Sequence, residues 1–345
     1  KNYTSIWEQN FYEALRGFNF IPGGRILAGA GTKHNVTLFN CFVMGSIEDS
    51  ISSIFDNLKE SALTMQKGGG IGCDFSTLRP IGCIAKTSNT VSSGPVSFMR
   101  IWDAMCATML STGSRRGAMM ATLRCDHPDI FEFIKAKHKP GELTNFNLSV
   151  LVTDEFMKAV RKDLDWPLVF PSGEITAETT TNSRVKRRWS NTESSVDCSV
   201  MRVVKAREIW DALMKANYHY AEPGVLFMDH INKMNNLHYC EHITATNPCG
   251  EVPLPPYGAC DLGSINLTQF IDRPFSDQAT LKEGALKKIT AIAVRMLDNV
   301  ISVSRFPLEN QQQQALQTRR IGLGITGLAD TLIMLKLHYG SEEAR

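Results

Sequence analysis

Residues 247 to 266 read Asn-Pro-Cys-Gly-Glu-Val-Pro-Leu-Pro-Pro-Tyr-Gly-Ala-Cys-Asp-Leu-Gly-Ser-Ile-Asn, the densest concentration of reactive side chains in the chain. Cys249, Cys260, Glu251 and the amide of Asn247 fall within it. Four prolines and three glycines make the segment neither a helix nor a central strand. A rigid loop of this kind holds reactive groups in fixed geometry. Cys249 and Glu251 are two positions apart, so extended backbone would point both side chains the same way, a sulfur and a carboxylate facing one ligand. The plainer alternative is a proline-rich turn with a buried cysteine, and at this level both readings stand.

The elements that must position these groups are legible from periodicity. Residues 21 to 31 form a Gly-rich loop, and 37 to 44 (Thr-Leu-Phe-Asn-Cys-Phe-Val-Met) read as a short buried strand. Ile51, Ile54, Leu58, Ala62 and Met65 recur at helical spacing over 51 to 67, and Gly68 to Gly72 stop that helix. Further helices are predicted over 98 to 110, from Pro128 to Lys137, over 206 to 221 and over 281 to 303. Residues 112 to 117 read as a loop and 147 to 152 as a strand, with Asp154 as the cap of the next helix. Residues 172 to 199 are rich in Ser, Thr and charge and read as a surface hairpin or long loop inserted between core elements, with Lys186-Arg187-Arg188 a solvated tip. Buried strands alternating with helices give the α/β class.

Composition narrows the possibilities further. With 43% apolar and 21% charged residues in 345, the chain can bury a substantial core. A formal charge of +2 gives no reason to expect nucleic-acid binding. No apolar run approaches the roughly 20 residues of a membrane span, and the first residues carry no signal-peptide pattern, so the expectation is a cytoplasmic protein without a membrane partner. The chain does not begin with Met, and both ends read as cut. Nine cysteines, an odd number with no C-x-x-C pair, speak against a disulfide scaffold or a zinc ribbon.

The run Asn247-Pro248-Cys249-Gly250-Glu251 resembles the finger-loop motif of the ribonucleotide reductase large subunit. Pro248 and Gly250 resemble the adenosylcobalamin-dependent class II enzymes. Class I enzymes, which draw their radical from a di-metal subunit, generally have Leu after the Asn. The match continues through residues 256 to 267, Asn40-Cys41-Phe42-Val43, Gly68 to Gly72, Ser93-Gly94-Pro95, Arg115-Arg116-Gly117-Ala118 and Arg319 to Asp330, collinear over most of the chain.

The resemblance implies an α/β fold: part of a ten-stranded barrel of the ribonucleotide reductase and glycyl-radical type, built from two five-stranded halves with a central finger loop. Residues 1–30 would be the end of an N-terminal region and 31–345 the N-terminal part of the barrel domain, with the insertion at 172–199 and the finger at 247–266. The implied activity is that of a vitamin B12-dependent ribonucleoside-diphosphate reductase, an oxidoreductase supplying deoxyribonucleotides for DNA synthesis, with di- or triphosphates both admissible as substrate. A di-metal-dependent class I large subunit and a non-catalytic or split nucleotide-binding piece are the alternatives.

Roles follow residue by residue from the resemblance. Cys249 would be the transient thiyl radical that takes the 3′ hydrogen of the ribose. Glu251 would be the general base on the 3′ hydroxyl, helped if burial brings its pKa toward neutral. Asn247 would bind the ribose hydroxyls. Cys41 and Cys260 would supply two electrons and end as a disulfide, which requires the fold to bring them within a few ångströms. Asn40, Cys41, Gly70 and the run Asn247 to Glu251 would contact substrate, with Gly24 an additional, offset match. Asp49, Arg79 and Lys86 would bind a deoxynucleoside triphosphate effector at a homodimer interface, the two cations suiting phosphates. Arg115-Arg116-Gly117 would lie between effector and substrate. The implied cofactor is adenosylcobalamin, with its cobalt, and the implied partners are a ribonucleotide, the effector and a thioredoxin-like reductant. Replacing C–OH by C–H needs a hydrogen-atom abstractor and a two-electron donor, and thiols serve as both. A radical also needs a dry, closed site.

Three motifs point elsewhere. Gly322-Leu323-Gly324-Ile325-Thr326-Gly327 fits the dinucleotide fingerprint, but such a site needs a strand before it and an acidic residue about 20 positions later; the flanking residues fit the reductase pattern better, and tight helix packing is expected instead. His238 and His242 flank Cys240 without a third ligand, so helix-surface histidines and no metal site are expected. Gly68 to Gly72 lack the Gly-Lys-Ser/Thr of a phosphate-binding loop.

Overall fold

The apolar runs around Phe42, Ile71, Ala121, Val150 and Leu226 all become parallel strands. The computed structural model describes residues 3–85, 90–109, 117–172, 175–176, 183–190, 192 and 194–345. It divides into two units, one of Cys41–Gly258 and one of Lys1–Asn40 with Ala259–Arg345.

In the first unit, strands Cys41–Val43, Gly70–Asp74, Met119–Arg124, Phe146–Val152 and Gly224–Phe227 pair in chain order, every pairing parallel. Parallel neighbours cannot be joined by tight turns, so each crossover carries helix. The helices are Ile51–Gln66, Pro95–Thr108, Ile130–Lys135, then Asp154–Lys162 and Ala206–Tyr220. Covered strands read as near-continuous apolar runs rather than alternating ones, as Met119–Arg124 and Phe146–Val152 do. This is the α/β class expected.

Local chemistry sets the helix ends. Ser50 caps the helix Ile51–Gln66, its hydroxyl accepting the Ser53 N–H at 3.2 Å. Pro95 opens the next helix after Gly94, so the helix expected over 98 to 110 begins three residues earlier. Its Trp102 is fully buried and its indole N–H donates to Ser61 Oγ at 3.1 Å, tying the two helices together. The helix predicted from Pro128 shortens to Ile130–Lys135. Thr153, not Asp154, caps the helix that follows, accepting the Phe156 N–H at 3.1 Å. Residues 110–116, which hold most of the predicted 112–117 loop, lie outside the described residues.

The polar stretch before Ala206 contributes to an antiparallel sheet of Asp165–Pro171, Ser195–Lys205 and Arg184–Arg188. This sheet has its own core of Val169, Phe170, Trp189, Cys198 and Val200. Lys186-Arg187-Arg188 is therefore strand rather than a solvated tip, with Arg187 on the less exposed face and Lys186 and Arg188 on the other.

In the second unit, Ala259–Asn266 pairs antiparallel with Phe20–Pro22 and parallel with Ile321–Thr326, so the last eight residues of the 247–266 segment are a central strand, contrary to the expectation from its prolines and glycines, all four prolines lying before this strand. The helix Glu283–Val303 lays Ile289, Ala293, Leu297 and Val300 against Phe20 and Ile265. The Gly-x-Gly run at 322 is thus a strand, and its Ile321 and Leu323 pack against the core that the helix Glu283–Val303 builds. A Cβ on Gly322 would strike the Leu262 side chain of the neighbouring strand, which accounts for that glycine sterically. No helix among the described residues is long and apolar enough to cross a membrane.

Candidate active site

The loop that holds Cys249 is a finger. Its stem is a two-residue ladder, Ala245–Thr246 antiparallel to Pro253–Leu254. Its tip is a tight turn in which the Gly250 N–H donates to the Asn247 carbonyl at 3.1 Å. Pro248 has the fixed φ that suits the second position of such a turn, and Gly250, at φ 82°, ends it. The extended geometry expected for Cys249 and Glu251 is therefore replaced by a turn. Both residues are exposed on this chain, and Asn247 is fully buried.

The parallel sheet grips the finger through its backbone. A Cβ on Gly72 would collide with the Thr246 carbonyl oxygen, and one on Gly70 would stand 2.9 Å from Pro248 Cγ. The glycine run after Gln66 thus does more than stop a helix. It continues into a strand along which the finger lies at a distance no side chain permits. Asn147 Nδ2 donates to the Pro248 carbonyl at 2.6 Å. Asn247 Nδ2 donates to Cys41 Sγ at 3.2 Å across 206 positions of sequence, and its Oδ1 accepts the Val252 N–H at 2.9 Å. Past the stem, the Tyr257 hydroxyl donates to Glu60 Oε2 at 3.1 Å, and the Val43 N–H donates to the Gly258 carbonyl at 2.9 Å.

Cys41 and Gly70 are the first residues of their strands and Asn147 the second of its own. The tip of the finger therefore sits at the N-terminal ends of the parallel strands. Ligands of parallel α/β sheets ordinarily gather at the opposite end, where strand-to-helix loops supply the groups. Here a separate finger supplies them, which removes that constraint. Asn147 was not anticipated as part of the site. The hint of it in sequence is an amide near the start of a mostly apolar strand.

Asn40, Gly24 and Cys260 belong to the second unit. Asn40 Oδ1 accepts the Arg25 N–H at 3.2 Å, and Gly24 begins the short helix Gly24–Gly29 with open space around it. Cys260 is 2% exposed, and its thiol donates to the Asp261 carbonyl at 3.4 Å. The Asp261 carboxyl beside it is buried with neither oxygen hydrogen-bonded. Burial, helped by the nearby Asp298 carboxylate and opposed by its own backbone N–H and the Arg319 charge, pushes its pKa to about 7. A folded pKa raised above the unfolded carboxylate value costs stability as pH rises from near 4 toward 7, because the unfolded chain ionises first. Asp261→Asn is accordingly expected to raise the thermal midpoint at pH 8 by several degrees and to confer no gain at pH 4, read by melting at both pH values; an equal effect at the two would contradict the burial of the charge.

The model of the ribonucleotide reductase barrel domain matches residues 39–345. The chain belongs to this family. It is 40% identical over 335 residues to a vitamin B12-dependent ribonucleoside-diphosphate reductase of Thermoplasma acidophilum, covering 97% of this chain and 40% of that protein. A protein of the same name from Mycobacterium tuberculosis is 41% identical over 340 residues, 98% of this chain and 44% of the relative. A ribonucleoside-diphosphate reductase subunit alpha of Chlamydia pneumoniae is 28% identical over 99% of the chain and 33% of its own length. The chain thus spans about two fifths of the B12-dependent relatives' length.

In this reductase-family chain, the residues expected at an effector site form a pair with each other. Arg79 Nε donates to Asp49 Oδ2 at 2.6 Å and Arg79 Nη2 to the Asp49 carbonyl at 2.9 Å. Both line a cavity of about 370 Å³ with Ile51, Leu78, Ser92 and Phe98. Arg79 Nη1 is buried there without a partner. Burial raises the Asp49 pKa, against the opposing hydrogen bond and charge of Arg79. Lys86, Arg115 and Arg116 lie outside the described residues.

The histidines flanking Cys240 are not on a helix surface. His242 lines a second cavity, and burial followed by the charge of Arg188 lowers its pKa to about 4, so it is neutral at pH 7. Among the described residues no three His, Cys, Asp or Glu side chains come together as metal ligands.

Proposed function

We propose that this chain carries the substrate-reducing site of an adenosylcobalamin-dependent ribonucleoside-diphosphate reductase, and that residues 31–345 are the N-terminal part of its barrel domain. The observation that carries this reading is the Asn247 amide bonded to Cys41 Sγ at 3.2 Å, which brings one expected reductant thiol to the root of the turn bearing Cys249. The names of the relatives at 40% and 41% identity favour the B12-dependent class.

In this reading Cys249 abstracts the 3′ hydrogen of the ribose as a thiyl radical and returns it at the end. Glu251 takes the 3′ hydroxyl proton, and the 2′ hydroxyl leaves as water. Cys41 and Cys260 give up two protons and two electrons and become a disulfide, so that C–OH plus two thiols yields C–H, water and the disulfide. Asn247, whose carbonyl oxygen is held by Val252, keeps an amide N–H for a ribose hydroxyl. A thioredoxin-like dithiol would restore the pair.

The residues fit the cofactor. The exposed Cys249, next to a Gly250 with open space where a side chain would stand, leaves room for a broad, flat group to approach. When bound, adenosylcobalamin supplies a carbon-centred radical by homolysis of its cobalt–carbon bond.

The test is reduction of a ribonucleoside diphosphate by the purified protein with adenosylcobalamin and a dithiol. Turnover without an added metalloprotein supports the B12 assignment. Dependence on a di-metal subunit would move the chain to class I, and effector binding with no turnover until a second chain is added would make it a split or non-catalytic piece. Glu251→Gln is expected to lower kcat by about 10²- to 10⁴-fold, the usual contribution of a positioned base, with substrate affinity little changed. A single turnover without external reductant should leave a Cys41–Cys260 disulfide detectable by peptide mapping. Two unmodified thiols after product formation would exclude the pair as reductant.

A further inference from the structure

The cavity beneath His242 belongs to none of the roles above. It has a volume of about 260 Å³ and lies at the C-terminal ends of the parallel strands, where Arg124 ends one strand, Leu151 stands near the end of the next and Met228 follows a third. One wall is the strand Arg184–Arg188 with Trp189, and another is His242–Thr244, the segment that leads directly into the finger stem Ala245–Thr246. The cavity therefore sits at the base of the finger, and the turn with Cys249 at its tip.

The buried group on its wall that lacks any partner is a donor. The Trp189 side chain is 1% exposed and its indole N–H has no partner; Arg187 Nε, also buried, lies 3.5 Å from Asp126 Oδ2, an ion pair without a hydrogen bond. Among the described residues neither the Lys186 ammonium nor the Arg188 guanidinium has an ion-pair partner, and both line the cavity. Other polar groups are already engaged. Arg124 is held by Asp126 at 2.8 Å and stacks over Trp189 at 4.6 Å, and Asp229 accepts the Asp154 N–H at 2.7 Å. Arg187 lies 3.6 Å from the exposed Glu155. With buried Asp126 included, four cations face three carboxylates. A buried donor lacking an acceptor is rare in folded proteins, and together with the two cations that have no ion-pair partner it favours a ligand that supplies acceptors.

We propose that this cavity binds a phosphate group, either as the free anion or as the end of a nucleotide. A phosphate offers several acceptor oxygens and matches planar guanidinium donors. The volume holds such a group but not a nucleoside with it, so any remainder of the ligand would project past Lys186 and Arg188. Bound phosphate touches the segment His242–Thr244 and so steadies the base of the finger. This site does not depend on the catalytic reading.

Calorimetric titration with inorganic phosphate, pyrophosphate and ADP tests the site, the signal of this cavity being the difference between the protein and its Lys186→Glu/Arg188→Glu variant. Both changed side chains are exposed, so the melting midpoint should hold. The expected result is saturable phosphate binding weakened at least about tenfold by the double variant, and severalfold by Trp189→Phe, which keeps the ring and removes the N–H. Hydrogen exchange at residues 242–246 should slow when phosphate is present. Tighter cavity-specific binding of ADP than of phosphate assigns the nucleotide as source, and equal or weaker binding assigns the free anion. Absence of saturable binding for all three probes, or affinities unchanged in both variants, would overturn the proposal.

Discussion

Under the proposed function, replacing Cys249 with serine is expected to abolish ribonucleotide reduction while leaving the fold intact. The hydroxyl that replaces the thiol holds its hydrogen far more strongly, so a radical initiator cannot generate the oxygen-centred equivalent at a useful rate. A fall of at least about 10⁴-fold in kcat, roughly 5.5 kcal/mol in the barrier, is the scale to look for. Cys249 is exposed at the tip of its turn, with the backbone of the turn held by Asn247 and Gly250 rather than by the sulfur. Stability should accordingly move by no more than about 0.5 kcal/mol. Chemical denaturation alongside a turnover assay separates the two outcomes. Residual turnover within tenfold of the unaltered protein would remove Cys249 from the reaction, and a large loss of stability would leave the activity change uninterpretable in favour of Cys41→Ser as the next variant.

The second large effect is expected from Gly72→Ala, which adds a single methyl group far from any reactive atom in sequence. That Cβ would meet the Thr246 carbonyl oxygen. Backbone faces backbone there, so no side-chain rotation relieves the clash, and either the strand Gly70–Asp74 or the finger stem must move. Overpacking of this kind costs about 1 to 3 kcal/mol. A displacement of the finger by about an ångström would lower turnover on the order of 100-fold. Gly284→Ala is the control: its Cβ meets nothing in the first turn of the helix Glu283–Val303, and it should be neutral or slightly stabilising. Guanidinium unfolding and steady-state kinetics on both variants decide the matter. A Gly72→Ala protein with unaltered midpoint and activity would mean that the finger does not lie against this strand as described.

Much of the framework could be read before any coordinates. The helices at Ile51–Gln66, Ala206–Tyr220 and Glu283–Val303 follow their apolar spacing closely, because a surface helix must turn one face to the core and the 3.6-residue repeat records which one. The strand Phe146–Val152 was legible for a similar reason, its last three residues Val150, Leu151 and Val152 being buried and apolar. Met119–Arg124 was not, since its flanking Arg115, Arg116 and Gly117 read as loop and its two methionines favour no particular element. The three-stranded sheet around Trp189 was hidden by the polar composition of its exposed face.

The reactive set was legible by type and order but not by geometry. The motif Asn247 to Glu251 and its collinear companions identified the family, because that pattern depends only on residue identity along the chain. The turn at Cys249 was not anticipated, since Pro and Gly are compatible with both an extended loop and a tight turn, and only the hydrogen bond between Gly250 and Asn247 chooses. The roles of Gly70, Gly72 and Asn147 in gripping the finger, and the bond from Asn247 to Cys41, join positions far apart in sequence. The same is true of the donors at the base of the finger, where a run read as a solvated tip faces a histidine read as a helix-surface residue. Sequence by itself determined which side chains are available and which segments become helix or buried strand, because those follow from local sterics and the burial of apolar faces. Tertiary structure alone decided which groups meet, because contacts across many tens of residues depend on how the strands pair and on where a missing Cβ lets one backbone approach another.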